Sequence, residues 1–167
     1  MADEPGLRPT AERIRETLFN WLAPVVEGAR CLDLFAGSGA LGLEALSRGA
    51  ASAMFIERSP TVARSLRESI ATLAADNADV QVADALTWLQ DTAPLPFDIV
   101  FLDPPFADAG YEELCRLLAK RGWLAGTAHV YIEQNRDQSV PTLPDRWQLV
   151  KEKTAGNVRY SLVRVET

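Results

Sequence analysis

Apolar and polar positions alternate along this chain in two rhythms, one of helical period and one of strand period. In "TAERIRETLFNWLAPVV", Ile14, Leu18, Trp21, Leu22 and Val25 fall on one helical stripe. Thr10 is placed to cap its start, Glu12 to occupy its first turn and Pro24 to end it. "RCLDLFA" then reads as a strand, "ALGLEALSRG" as a helix closed by Gly49, and "SAMFIE" as a second strand. Ser59-Pro60 supplies a cap and a first-turn proline for a helix whose inward stripe is Val62, Leu66, Ile70 and Leu73. The alternation continues through "DVQVAD", the short helix "ALTWLQ", "FDIVFL", the helix "YEELCRLLAK" and "HVYIEQ". After "PTLPDR" it changes: "WQLVKEKT" and "NVRYSLVRVE", joined by Ala155-Gly156-Asn157, read as a terminal antiparallel hairpin.

Strands separated by helices imply right-handed crossovers, and therefore an α/β fold with a mostly parallel sheet covered on both faces. Such a sheet accounts for Ile99 to Leu102, which are all apolar because neither face of that strand meets water. With 167 residues, 47% of them hydrophobic, the whole of 1–167 is expected to form one domain around a full core. No internal repeat or low-complexity tract interrupts it, and Pro94, Pro96, Pro141 and Pro144 mark loops.

Composition narrows the function. No apolar run approaches the roughly 20 residues of a membrane span, and "MADEPGLRPT" lacks the basic and apolar regions of a signal peptide, so a cytoplasmic protein without a membrane partner is expected. Cys31 and Cys115 fit no metal spacing and read as buried apolar residues, while the single histidine, His129, sits in the apolar "AHVYIE". Neither a metal site nor a Ser-His-Asp site is expected. Lys and Arg number 17 against 23 Asp and Glu, and the net charge of -6 argues against broad, nonspecific adhesion to nucleic acid while leaving room for a local basic face.

In an open α/β sheet, ligands bind beyond the carboxyl ends of the strands. One such end is "DLFAGSGALG", with Gly37, Gly39 and Gly42 in a GxGxxG arrangement and Glu57 lying 20 residues beyond Gly37 at the next strand end. The two oxygens of that carboxylate can accept from both hydroxyls of a ribose. Asp33, just ahead of the glycines, would repel a dinucleotide pyrophosphate but favour S-adenosylmethionine, which carries a sulfonium and an ammonium group. Asp84, after "DVQVA", can accept from an adenine amino group, or can equally be a solvated loop residue. The second end is "DIVFLDPPF". Pro104 and Pro105 lack N–H groups, so the backbone from Asp103 onward offers acceptors with few competing donors. An exocyclic nucleobase amine bonded to Asp103 and to the Pro104 carbonyl would be aimed at the donor methyl, and Phe106 could stack on the base.

These residues resemble the class I S-adenosylmethionine-dependent methyltransferases, a Rossmann-like fold, in the branch whose [D/N]PP[F/Y] motif methylates base amino groups. More narrowly, "LRPTAERIRETLFNWL", "CLDLFAGSGALGLEALSRGA", "FIER" and "DIVFLDPPF" look like the bacterial ribosomal RNA small-subunit methyltransferase D family, which makes N2-methylguanine in 16S rRNA. The resemblance runs from about Gly6 almost to the C-terminus. It implies that Asp33, Phe35, Gly37 and Gly39 line the methionine end of the cofactor, Glu57 the ribose and Asp84 the adenine. By the same token Asp103, Pro104, Pro105 and Phe106 hold the target base, and Arg8 and Thr10 fall in a family motif near the active site. The implied partner is 16S rRNA or the small ribosomal subunit, with no oligomer required. Members usually carry a basic arm of the kind "GGxWRGR" ahead of "LRPT"; this sequence starts without it, which leads one to expect weaker RNA binding.

Three alternatives stay open at this point: N6-adenine methylation of DNA or RNA, since DPPF reads an amino group more than a ring; an NAD-dependent oxidoreductase; and a non-enzymatic RNA-binding or assembly factor. The short chain leaves little room for a target-recognition domain, Asp33 weighs against NAD, and the intact Asp103 weighs against a mere scaffold.

Overall fold

The computed structural model describes residues 7–104, 110–120, 122–139 and 141–166, with side chains from Thr10 onward. Among the described residues, seven strands form a single sheet: β1 (Arg30–Asp33), β2 (Ser52–Glu57), β3 (Ala78–Val82), β4 (Phe97–Leu102), β5 (Leu124–Asn135), β6 (Trp147–Ala155) and β7 (Val158–Glu166). Their order is β3-β2-β1-β4-β5-β7-β6. The first five run parallel, while β7 lies antiparallel to β5 and β6 antiparallel to β7, as the change of pattern after "PTLPDR" predicts. Chain order reverses direction across the sheet between β1 and β4, which opens a crevice at their carboxyl ends.

Five helices among the described residues cover the two faces: α1 (Leu7–Leu22), α2 (Ala40–Ser47), α3 (Pro60–Thr72), α4 (Ala85–Asp91) and α5 (Tyr111–Lys120). Leu18, Phe19 and Leu22 of α1, Ala45 of α2 and Ala63 and Leu66 of α3 pack against Cys31, Phe55, Ile99, Phe101 and Tyr131. On the opposite face Trp88 and Leu89 of α4 and Leu114 and Leu118 of α5 pack against Leu32, Ile56, Val100, Leu102 and Val130. Ile99 to Leu102 are wholly buried, so the apolar run is that of a doubly covered strand. Cys31 and Cys115 are unbonded thiols on opposite faces of the sheet, each pushed up to about 12 chiefly by burial. His129 is half-buried in β5 and its imidazole is lowered, first by desolvation and then by Arg164.

Three local expectations need correction. Helix α1 starts at Leu7, so Thr10 stands inside it rather than capping it, and Glu12 is beyond its first turn. Pro9 falls in that first turn, where a residue without an N–H costs no helical hydrogen bond, so the helix starts ahead of the threonine. In α3, Ala63 takes the inward position in place of Val62, which is turned to the cavity described below, and Leu73 is 62% exposed beyond the helix end. Val25 lies past the end of α1 and Val26 is buried instead. By contrast, Ser59 caps α3 through a bond accepted from Val62 N–H, with Pro60 at the first position. Among the described residues no helix is long and apolar enough to cross a membrane.

Candidate functional site

A cavity of about 650 Å³ opens at the carboxyl ends of β1, β2, β3 and β4. Its wall includes Asp33, Phe35, Gly37, Glu57, Asp84 and Asp103, which the sequence spacing brings from four strand ends to one place. Gly39 is buried in the same loop.

The glycine loop is shaped by both backbone and packing. Gly37 has φ +55°, and no atom of the described residues lies within 4 Å of where a Cβ would stand, so its backbone is bare toward the cavity. A Cβ on Gly39, at φ +80°, would come within 2.4 Å of Leu66 Cδ1, and one on Gly42 within 2.3 Å of Phe55 Cε1. The third glycine thus lets α2 sit directly on β2, and the first lets a ligand approach the main chain.

Glu57 ties this loop to the end of β2. Its Oε1 accepts from Gly37 N–H at 2.9 Å and its Oε2 from Ser59 N–H at 2.8 Å. Each oxygen has a second lone pair, so the fixed carboxylate can still take two hydroxyl donors. Asp84 has a double role: its Oδ2 accepts from the Thr87 N–H and hydroxyl, both at 3.2 Å, and so caps α4 while the residue lines the cavity. The capping function is one the loop reading of Asp84 did not include.

Asp33 is 2% exposed, and its Oδ2 accepts from Gly42 N–H at 3.2 Å. Burial, opposed by that bond and assisted by the nearby Glu57 charge, pushes its carboxyl up to about 7. A buried carboxyl held this way is at its best beside a cation.

The sequence reading missed a neighbour of Asp103. In the β4–β5 register Leu102 pairs with Ile132, so the next residues, Asp103 and Glu133, stand side by side beyond the strands. Burial is the chief cause pushing both carboxyls up, and the Glu133 charge beside it pushes Asp103 up further. Tyr131 Oη donates to Glu133 Oε1 at 2.5 Å, and Tyr111 Oη donates to the Glu133 carbonyl at 2.5 Å. The available signal was strand parity: Tyr131 and Glu133 alternate on the same face as Phe101 and Asp103. Pro104 is buried next to Asp103. Pro105, Phe106 and the Arg8 side chain lie outside the described residues, and Thr10 stands near Gly156 of the hairpin turn, its Cγ2 3.6 Å from where a Cβ there would be.

These features fit S-adenosylmethionine. The bare Gly37 backbone gives room, Asp33 answers the positive charges, Glu57 presents fixed acceptors at the end of β2, and Ala83, Leu86 and Val62 give an apolar wall beside Asp84.

Comparison with known proteins decides the family. A family model described as "Conserved hypothetical protein 95" matches residues 1–164. The ribosomal RNA small subunit methyltransferase D of Escherichia coli K12 is 52% identical over 164 residues, covering 98% of this chain and 82% of that protein. The chain belongs to the ribosomal RNA small subunit methyltransferase D family. The family fold is borne out in three dimensions: yhhF, an E. coli protein of solved structure, superposes with a TM-score of 0.89 at 50% identity, covering 93% of this chain and 87% of that one. At fold level alone, a SAM dependent methyltransferase from Aquifex aeolicus matches with a TM-score of 0.66 at 15% identity, over 90% of this chain and 89% of that one. The α/β architecture with its antiparallel C-terminal strands is therefore that of the S-adenosylmethionine-dependent methyltransferases.

Proposed function

We propose that this chain, as a methyltransferase D family member, transfers a methyl group from S-adenosylmethionine to the N2 amine of a guanine in 16S rRNA. The observation that carries the reading is a single cavity whose wall holds both the carboxyl suited to the cofactor's cations, Asp33, and the one suited to a base amine, Asp103. When bound, the cofactor supplies an electrophilic methyl on a sulfonium. Asp33, Gly37, Glu57 and Asp84 hold it; Asp103 and the Pro104 carbonyl hold the amine.

A base amine is a poor nucleophile because its lone pair is delocalised into the ring. Acceptors on its hydrogens fix its orientation and stabilise the positive charge that grows on nitrogen as transfer proceeds. Buried Pro104 keeps those acceptors stiff and shielded, which strengthens them over the same groups in water. Small-subunit rRNA from cells lacking the protein should lose one N2-methylguanine. Loss of an N6-methyladenine instead would transfer the reading to that chemistry, and an unchanged modification map would remove it.

Asp103→Ala should leave cofactor affinity near wild type and lower kcat by about 10²-fold or more, since its bonds matter most in the transition state. Calorimetry for the cofactor and single-turnover methylation of small-subunit particles separate the two quantities.

A further inference from the structure

The register of the terminal hairpin continues the row on which Asp103 stands. Glu133, beside Asp103, pairs with Tyr160 of β7, and Tyr160 pairs with Lys153 of β6. Paired residues project to one face of a sheet, so Lys153 points to the face that α1 covers, where Tyr160 is part of the core. Across three strand spacings of about 4.8 Å, Lys153 stands roughly 14 Å from Asp103. Lys151 pairs with Leu162 of the same core and projects to the same face. Glu152, between the two lysines, pairs with Ser161 on the opposite face and is held there by Arg159 at 3.2 Å.

Helix α1 borders this strip. Trp21 stacks on Tyr160 with ring centroids 5.3 Å apart, and Thr10 lies against the hairpin turn at Gly156. Arg13 falls on that flank of the helix, one turn on from Thr10, whereas Glu12 and Glu16 lie further round. Arg13, Lys151 and Lys153 are exposed, and none forms an ion pair with another described residue. In a chain of net charge -6, this strip has the opposite sign to the molecule as a whole.

We propose that Arg13, Lys151 and Lys153 form a docking surface for the phosphate backbone of the RNA substrate, holding nucleotides that flank the target base. The proposal rests on the functional reading above and assigns a surface to its substrate. An acidic protein surface would meet the same charges, but the alignment with Asp103 favours RNA. A polymer that delivers a base to Asp103 must pass over what borders it. On one side lies the cofactor cavity, walled from the ends of β1, β2 and β3, so the hairpin side is the open path. Phosphate contacts there would set register without reading sequence, leaving recognition of the base to the strand ends.

The test uses a fluorescein-labelled single-stranded RNA of mixed sequence, with affinity measured by polarisation against salt. Lys151→Gln with Lys153→Gln should weaken binding by about tenfold and lower the salt slope by about 1.4, the worth of two phosphate contacts on a single strand. Adding Arg13→Gln should lower the slope by about 0.7 more. Arg64→Gln with Lys120→Gln, exposed sites on α3 and α5 that remove the same charge elsewhere, should change both little. With small-subunit particles, the lysine variant should raise KM by about tenfold and retain kcat and cofactor affinity, because these contacts are equally strong before and during transfer. Wild type that binds no labelled RNA at low salt, a lysine variant with unchanged affinity and slope, or a loss matched by the control overturns the proposal. So does weaker binding to particles with the labelled RNA unaffected, which would give the strip to a protein partner. If wild type methylates no ribosomal substrate, the functional reading fails, and the polarisation data still decide whether the strip holds RNA.

Discussion

Asp33 combines near-complete burial with a carboxyl raised to about 7, and the energetic conflict between the two is relieved by a bound cation. Because the cofactor's positive charges favour the ionised carboxylate, affinity for S-adenosylmethionine should rise as pH increases through about 7, and binding below that value should release a proton. Calorimetry in buffers of different ionisation heat measures this release; Asp33→Asn should abolish it and weaken binding by roughly 1.5–3 kcal/mol, the worth of a charge-assisted contact. Affinity that stays flat with pH would detach Asp33 from the cofactor's charge. Asp33, Glu57 and Asp103 were legible in the sequence because each is a charge directly after an apolar strand, where an isolated carboxylate has no structural reason to be. Glu133 has the same position after "VYI", but the strand continues to Asn135, so nothing in the sequence marked it as a terminus. Only the register with β4 brings it to Asp103.

At the level of elements, the contact between α2 and β2 is fixed by the absence of one side chain. Gly42→Ala places a methyl 2.3 Å from the Phe55 ring, which is itself wholly buried and has little room to turn. The cost should be about 1–3 kcal/mol, read by denaturant unfolding, and the shift of α2 should also weaken cofactor binding through Gly37. Ser59→Ala, which removes the cap of α3, should cost about 1 kcal/mol and serves as a control that leaves the glycine loop in place. Period and punctuation made nearly every element legible. The failures were at ends: Thr10 looked like a cap since the proline ahead of it resembles a breaker, yet a first-turn proline breaks nothing. Val62 was read as core because helical spacing cannot distinguish a side chain facing other side chains from one facing a ligand cavity.

At the scale of the whole molecule, the three raised carboxyls among the described residues impose a direction on stability. In the unfolded chain they titrate near pH 4, whereas in the folded protein Asp33 titrates at about 7 and Asp103 and Glu133 are also raised. Between those limits the folded state binds more protons than the unfolded one, so stability is greatest on the acid side and falls as pH rises through about 7. Melting temperatures measured from about pH 5 to about pH 8 should decline, and the decline should be shallower in Asp33→Asn. Saturating S-adenosylmethionine should flatten it too, by drawing Asp33 into its ionised form in the folded state. A melting temperature that climbs across this window would mean these carboxyls are not protonated in the fold.

The sheet's outer boundary carries a different consequence. Strand β6 stands last in the order, so one row of its backbone donors and acceptors has no neighbouring strand among the described residues, which is the ordinary template for edge-to-edge aggregation. Its exposed run Lys151, Glu152, Lys153 and Thr154 surrounds that row with charge, and the register shift between Leu149 and Lys151 interrupts its straightness. A strand from another molecule would have to desolvate two ammonium groups and match an irregular spacing before gaining a ladder. Replacing Lys151 and Lys153 together by valine should leave the fold intact while making concentrated protein self-associate, visible as rising light scattering on mild heating. The hairpin that completes the sheet at this edge is thereby also what stops it from growing there.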